Sequence, residues 1–228
     1  MLAPHAFTLR LAVILVCAAV AFVRGQACTY YRGEGTYNLA SLSGPLAPLI
    51  AFDRQDPNVR YMWRVCDALN MAALPDDAAA ACAGLTGSAV KFTAKTAEAT
   101  ASCEVVALAT EPQVSVITNG NVPGISLNRS SDAKCDDGAT SGLTANYFCS
   151  PMMDVQIGNV VIPDACGYTV NVKSSQACPR QCVTVSASGQ LIVCGGHGLC
   201  GLDPLLSSSH CYCNTGYRGE FCEGTFLS

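Results

Sequence analysis

The sequence is poor in charge and in aromatic surface. Of its 228 residues, 13% are Asp, Glu, Lys or Arg and 7% are Phe, Trp or Tyr. Basic side chains do not outnumber acidic ones, 13 against 17, so the positive footprint that reads a nucleic-acid backbone is missing. No G-x-S-x-G, no H-E-x-x-H and no glycine-rich phosphate loop occurs, which removes the common signatures of serine hydrolases, zinc proteases and nucleotide enzymes. The only histidines are His5, His197 and His210, so the long stretch between the first two offers no imidazole for acid–base chemistry. Beyond the N-terminus no apolar run reaches the ~18 residues of a membrane-spanning helix.

What the chain has in abundance is cysteine, 15 in all. An odd, high count suits neither a reducing cytosol nor a fully paired secreted protein. The N-terminus removes the conflict. Residues 1–10 are positively charged, residues 11–23 (LAVILVCAAVAFV) form an uncharged apolar run, and small residues follow at Gly25 and Ala27. This pattern predicts a secretory signal peptide over residues 1–25. Cys17 leaves with it, and the mature chain keeps 14 cysteines, 11 basic and 17 acidic side chains. Its expected place is the secretory-pathway lumen or the extracellular space, with paired thiols, no catalytic residue, no cofactor, no metal and no membrane span.

Cysteine density divides the mature chain. Eight cysteines from Cys28 to Cys178 spread over about 150 residues, whereas six, from Cys182 to Cys222, fall within 41. The first part can bury a core; the second is too small and depends on its bridges. The expected division is residues 26–179 and 180–224. The first part reads as strands. Tyr61, Trp63 and Val65 alternate with Arg60 and Arg64, Val114 and Val116 flank Ser115, and Tyr168, Val170 and Val172 alternate with Thr169, Asn171 and Lys173. Period two with aromatic and β-branched residues predicts half-buried strands. Gly44-Pro45, Asp56-Pro57, Asn119-Gly120 and Pro123-Gly124 read as turns, so the fold class is all-β, a sandwich or barrel. Residues 76–83 (DDAAAACA) read as one or two helical turns or a loop, and residues 93–100 as an exposed strand or hairpin tip. Residues 121–134 read as a polar loop carrying the sole N-x-[ST] sequon, at Asn128, an expected N-glycosylation site.

The end of the chain, CYCNTGYRGEFC at residues 211–222, resembles the epidermal-growth-factor-like signature C-x-C-x2-G-[FYW]-x-G-x2-C. The resemblance implies the pairs Cys182–Cys200, Cys194–Cys211 and Cys213–Cys222. The residues just before Cys182 hold no carboxylate, so a calcium-free module is expected. A zinc site using His197, His210 and nearby cysteines is disfavoured by the oxidising compartment.

Residues 28–179 resemble the mannose 6-phosphate receptor homology (MRH) domain. The likeness is carried by YNLASL at residues 37–42, YMWRVC at 61–66, CGYTVNVKSSQACP at 166–179, and the spacing of Cys135, Cys149, Cys166 and Cys178. It implies a flattened antiparallel β-barrel bridged at Cys28–Cys66, Cys82–Cys103, Cys135–Cys166 and Cys149–Cys178. Sugar-binding members use a Gln, an Arg, a Glu and a Tyr. Carried onto this chain, Tyr168 matches the Tyr and Lys91 occupies the Gln slot. The Arg slot falls on Thr140 or Ser141, and the Glu slot lies in VQIGNVVIPDAC, whose only carboxylates are Asp154 and Asp164. The expectation is a lectin-like recognition protein with an incomplete mannose-binding site at Tyr168 and Lys91, its partners glycoprotein glycans or other luminal or extracellular proteins. The alternative is a structural or adhesive protein that acts through protein contacts and binds no carbohydrate. At residue level the competing readings are a core tyrosine at Tyr168, a solvated strand lysine at Lys91, a turn or weak cation site at Asp136-Asp137, and loop histidines at His197 and His210. With every mature cysteine paired, thiol titration of the denatured, unreduced protein should find no free thiol; one reactive thiol would revive a nucleophilic cysteine.

Overall fold

The computed structural model describes residues 28–32, 35–43, 47–117, 122–135, 138–151, 154–163, 167–203 and 208–226. The expected signal peptide, the Gly44-Pro45 and Asn119-Gly120 turns, Asp136-Asp137, Asp164 and Cys166 lie outside the described residues.

A short hairpin, β1 (Thr29–Arg32) and β2 (Gly35–Asn38), precedes two sheets. The first sheet is antiparallel, in the order β3 (Leu49–Phe52), β4 (Val59–Trp63), β5 (Ala89–Thr93) and β6 (Ser102–Ala107). The second contains β7 (Gln113–Ile117), β8 (Gly124–Lys134), β9 (Thr140–Cys149), β10 (Gln156–Ile157) and β11 (Gly167–Ser174), in the spatial order β10-β11-β9-β8-β7. All its pairs are antiparallel except β9 with β11. Between β10 and β11 the chain touches both sheets: Val160 bridges to Asp53 beside β3, and Val161 to Thr169 of β11. This strip joins one edge of the first sheet to the second.

The inward alternation of β4 and β11 fills the layer between the sheets. Val59, Tyr61, Trp63 and Val65 meet Leu143, Ala145, Tyr147, Tyr168, Val170 and Val172 in one buried cluster. The opposite face of β4 is buried as well. Met62, Val90 and Phe92 form a second cluster with Met71, Leu74, Ala78 and Cys82. The acidic alanine run supplies that cover. It forms α1 (Asp76–Ala81), with Asp76 and Asp77 in the first turn, where carboxylates complement the helix dipole. Asp77 pairs with Arg60 of β4, and the Cys82–Cys103 bridge ties the end of α1 to β6. Of residues 93–100, expected as an exposed strand or hairpin tip, Thr93 ends β5 and the rest lie in the loop between β5 and β6.

One expectation is corrected. Most of the polar segment 121–134 is the long central strand β8, not a loop. Ile125, Leu127, Arg129 and Ser131 are buried and alternate with exposed Asn128, Ser130 and Asp132. The period of two is present in the sequence, masked by an arginine and a serine at core-facing positions. The Arg129 guanidinium is accommodated because Nη2 donates to the Val65 carbonyl (2.8 Å) and Nε to the Thr110 carbonyl (3.1 Å).

After β11 the chain forms three small hairpins: β12 (Val183–Val185) with β13 (Leu191–Val193), β14 (Gly198–Asp203) with β15 (Ser208–Cys213), and β16 (Tyr217–Arg218) with β17 (Gly224–Thr225). Its buried cluster is largely half-cystines: Cys182, Cys194, Cys200, Cys211 and Cys222, with Val193 and the sheet-side pair Cys149 and Cys178. Bridges join Cys28–Cys66, Cys82–Cys103, Cys149–Cys178, Cys182–Cys200, Cys194–Cys211 and Cys213–Cys222. Cys135 is also disulfide-bonded; Cys166, its expected partner, lies outside the described residues.

The first hairpin fastens this region to the sheets. The Thr36 amide donates to Gln181 Oε1 (3.2 Å), and buried Gly35 lies so close that a Cβ there would come 2.7 Å from Pro179 Cβ. Gly35→Val is therefore expected to destabilise the fold by about 1–3 kcal/mol. The readout is a lower midpoint of urea unfolding; an unchanged midpoint would mean that the hairpin does not pack against residues 179–181.

Candidate ligand-binding site

The register of the first sheet lines up Ala51, Tyr61, Lys91 and Glu104 as direct neighbours across β3, β4, β5 and β6. In a pleated sheet such a row shares one face, here the face turned towards the second sheet, as Tyr61 and Ala51 belong to the intersheet cluster. From the second sheet Tyr168 of β11 meets this row. Its ring centroid is 5.1 Å from that of Tyr61, tilted by 48°, and Lys91 Nζ lies 5.7 Å from the Tyr168 centroid, over the ring. The two residues singled out from the sequence thus come together, although they sit on different sheets.

Two carboxylates stand at the same place. Glu104 is exposed and faces Lys91 across the β5–β6 pair. Asp53 follows β3; its Oδ2 accepts from the Tyr61 hydroxyl (3.2 Å), while Oδ1 accepts from the amides of Gln55 (2.7 Å) and Asp56 (3.1 Å). The side chain is therefore fixed on three sides. Burial raises the Tyr61 pKa, and the negative charges of Asp53 and Glu104 push it further the same way, so Tyr61 stays a neutral donor. Among the described residues Lys91 has no ion-pair partner, and the Tyr168 hydroxyl, on a side chain only 8% exposed, has no hydrogen-bond partner. The set offers an ammonium donor, two carboxylate acceptors, a phenol and an aromatic face, which together match vicinal hydroxyls on a ring with one apolar side.

Glu104 and Asp53 were not identified from the sequence. The signal for Glu104 was its alternation with Cys103 and Val105 beside a strand containing Lys91; only the register turns that into proximity. The other named residues do not join the site. Thr140 accepts from Lys134 Nζ (3.0 Å), Ser141 is buried in β9, and Asp154 is exposed outside the strands. Asn128 is exposed on β8, its amide donating to Thr144 Oγ1 (2.9 Å). His197 stacks on Tyr217 at 3.9 Å and His210 lies against Tyr212 at 4.1 Å. The sulfurs of Cys182, Cys194 and Cys211 cluster within 4.8 Å, but all three are in disulfides, so none is a thiolate ligand.

No protein-family model matches the chain, and no curated protein matches it either. Among solved structures it is similar to the MRH domain of Yos9 complexed with alpha3,alpha6-Man5, at 14% identity over 78% of this chain and 94% of that one, with a TM-score of 0.40. It is also similar to chicken IGF2R domain 11, at 12% identity over 67% of this chain and 92% of that one, with a TM-score of 0.44. Both scores lie below 0.5, and the reading of the site rests on its own side chains. No helix among the described residues is long and apolar enough to cross a membrane.

The buried phenols make stability depend on pH. Burial raises the pKa of Tyr147, and of Tyr61 and Tyr30, above the tyrosine norm. In the unfolded chain each loses its proton near about pH 10, while the folded chain keeps it. Above that pH the unfolded state binds fewer protons, so stability, constant with respect to these groups at lower pH, falls as pH rises. For fully enclosed Tyr147 the expected slope is up to about 1.4 kcal/mol per pH unit. Urea unfolding followed from neutral to strongly alkaline pH should show this decline, and Tyr147→Phe should flatten it; an equal slope in the variant would assign the effect elsewhere.

Proposed function

We propose that the chain is a non-catalytic recognition protein of the secretory lumen or extracellular space, which binds a mannose-type glycan where Lys91, Glu104, Asp53 and Tyr168 converge. The observation that carries this reading is the meeting of Lys91 and Tyr168 from opposite sheets at one end of the intersheet layer. In this reading residues 26–179 are an MRH-like domain, residues 180–224 an epidermal-growth-factor-like module without calcium, and residues 1–25 a signal peptide. Glu104 and Asp53 do the accepting that a Glu nearer Cys166 does in the resembled family, and Lys91 takes over donation to hydroxyls. Asn128 carries an N-glycan on the outer face of the second sheet.

A second reading, adhesion through protein contacts, draws on a different place. Leu199 and Tyr212 are paired across β14 and β15 and remain 64% and 48% exposed, an apolar pair of the kind that anchors protein interfaces.

The test is calorimetric titration of the secreted, disulfide-bonded protein with alpha3,alpha6-Man5, alongside a glycan array. Glycan binding should fall about tenfold or more in Tyr168→Phe, in Lys91→Met and in Glu104→Gln, each tenfold being about 1.4 kcal/mol. Absence of binding to any glycan sinks the lectin reading. Loss of protein-partner capture in a Leu199→Ser, Tyr212→Ser double variant would then favour the adhesive one.

A further inference from the structure

A second polar site lies at the junction between the sheets and the disulfide-rich region. A cleft of about 740 Å³ is lined by Asn38 at the end of the first hairpin, by Ser175 and Gln176 after β11, by Arg180 in the connection, and by Val183 and Gln190 of the β12–β13 hairpin. None of these elements contributes to the Lys91–Tyr168 site. The volume suits a ligand of a few sugar rings or a drug-sized molecule.

The lining chemistry is specific. Among the described residues that line it the cleft has no carboxylate, although acidic side chains outnumber basic ones in the chain, 17 to 13. Its one charge is Arg180, exposed and without an ion pair or side-chain hydrogen bond among the described residues. The Ser175 side chain is 1% exposed, and its hydroxyl has no hydrogen-bond partner among the described residues. A buried hydroxyl left unpaired costs free energy, and this one belongs to a residue that lines the cleft. The amides of Asn38, Gln176 and Gln190 each offer both a donor and an acceptor. Val183 supplies an apolar wall.

We propose that this junction cleft binds an acidic saccharide unit, a sugar ring bearing one carboxylate or one sulfate ester. The guanidinium forks onto the anionic group through paired N–H donors. The amides meet ring hydroxyls, which, like the amides, both donate and accept. A neutral sugar leaves Arg180 unpaired and is held weakly. A cation is repelled by Arg180 and finds no carboxylate.

The probes are glucuronic acid, a sulfated glucose, and glucose itself as the neutral reference, titrated into the full secreted protein by calorimetry and by amide NMR. At least one acid is expected to bind about tenfold or more tighter than glucose, more weakly as sodium chloride is added. Whichever acid binds tighter identifies the anionic group that the cleft reads. Arg180→Gln keeps a polar side chain but removes the charge, and should reduce acid binding to the level of glucose; Arg180 is exposed, so the variant should retain the wild-type melting temperature. Lys91→Met should leave acid binding unchanged, which separates this site from the glycan site. The proposal is overturned if neither acid binds more tightly than glucose, if Arg180→Gln binds as wild type, or if Lys91→Met abolishes acid binding.

Discussion

A buried side-chain hydrogen bond ties the two sheets together at their centre. Trp63 Nε1 of β4 donates to the Tyr147 hydroxyl of β9 at 3.0 Å, and both residues are 1% exposed. An indole N–H sealed in an apolar layer needs a partner, and Tyr147 is placed to accept without bringing a charge into the core. The bond fixes how β4 lies against β9. Tyr61, two residues before Trp63 on the same face, then falls opposite Tyr168, because β11 runs beside β9 in parallel with Tyr168 next to Leu143. The contact between Tyr61 and Tyr168, and with it the convergence of Lys91 and Glu104 on one end of the layer, follows from that anchoring.

How much of this was legible depended on what each strand faces. β4, β7 and β11 declared themselves because their inward positions are aromatic or β-branched. β8 did not, since beyond Leu127 its inward residues are Arg129 and Ser131, and carbonyls from distant segments, Val65 and Thr110, make that tolerable. A local pattern carries no information about such partners. The second core on the far side of β4 was hidden for a related reason. Six helical residues are too few for a helical period to be read, and alanines give little apolar contrast. The cover they provide over Met62 and Phe92 emerges only when the Cys82–Cys103 bridge and the Arg60–Asp77 pair bring α1 back onto the sheet.

The site shows the same division. Tyr168 and Lys91 were reached through resemblance to a family, because nothing in their local sequence marks a ligand. Glu104 and Asp53 were not reached at all. Glu104 depends on a cross-strand register set by the β5–β6 pairing, and Asp53 on a turn whose amides and a neighbouring phenol hold its carboxylate in place. Position-by-position transfer from a family finds a function where the same residue performs it, and misses it where another strand supplies the same chemical group.

The two polar sites differ in electrostatic sign, and that difference underlies the ligand proposed for each. At the end of the intersheet layer two carboxylates stand with one ammonium, a local excess of negative charge. An anionic ligand is repelled there, while a neutral polyol can be held by acceptors and donors alike. At the junction the described lining residues hold a guanidinium and no carboxylate, so the preference reverses. Its position is fixed by covalent structure: only three residues, Pro179, Arg180 and Gln181, separate Cys178, bridged to Cys149 of β9, from Cys182, bridged to Cys200 of β14. Gln181 is tied to the Thr36 amide. A connection so short, bridged on both sides, fixes the backbone of Arg180 before any ligand arrives. The cost of binding then falls mainly on the ordering of its side chain, about 2 kcal/mol of rotamer freedom, which a paired, charge-assisted contact to a carboxylate or sulfate can offset and a neutral hydroxyl cannot.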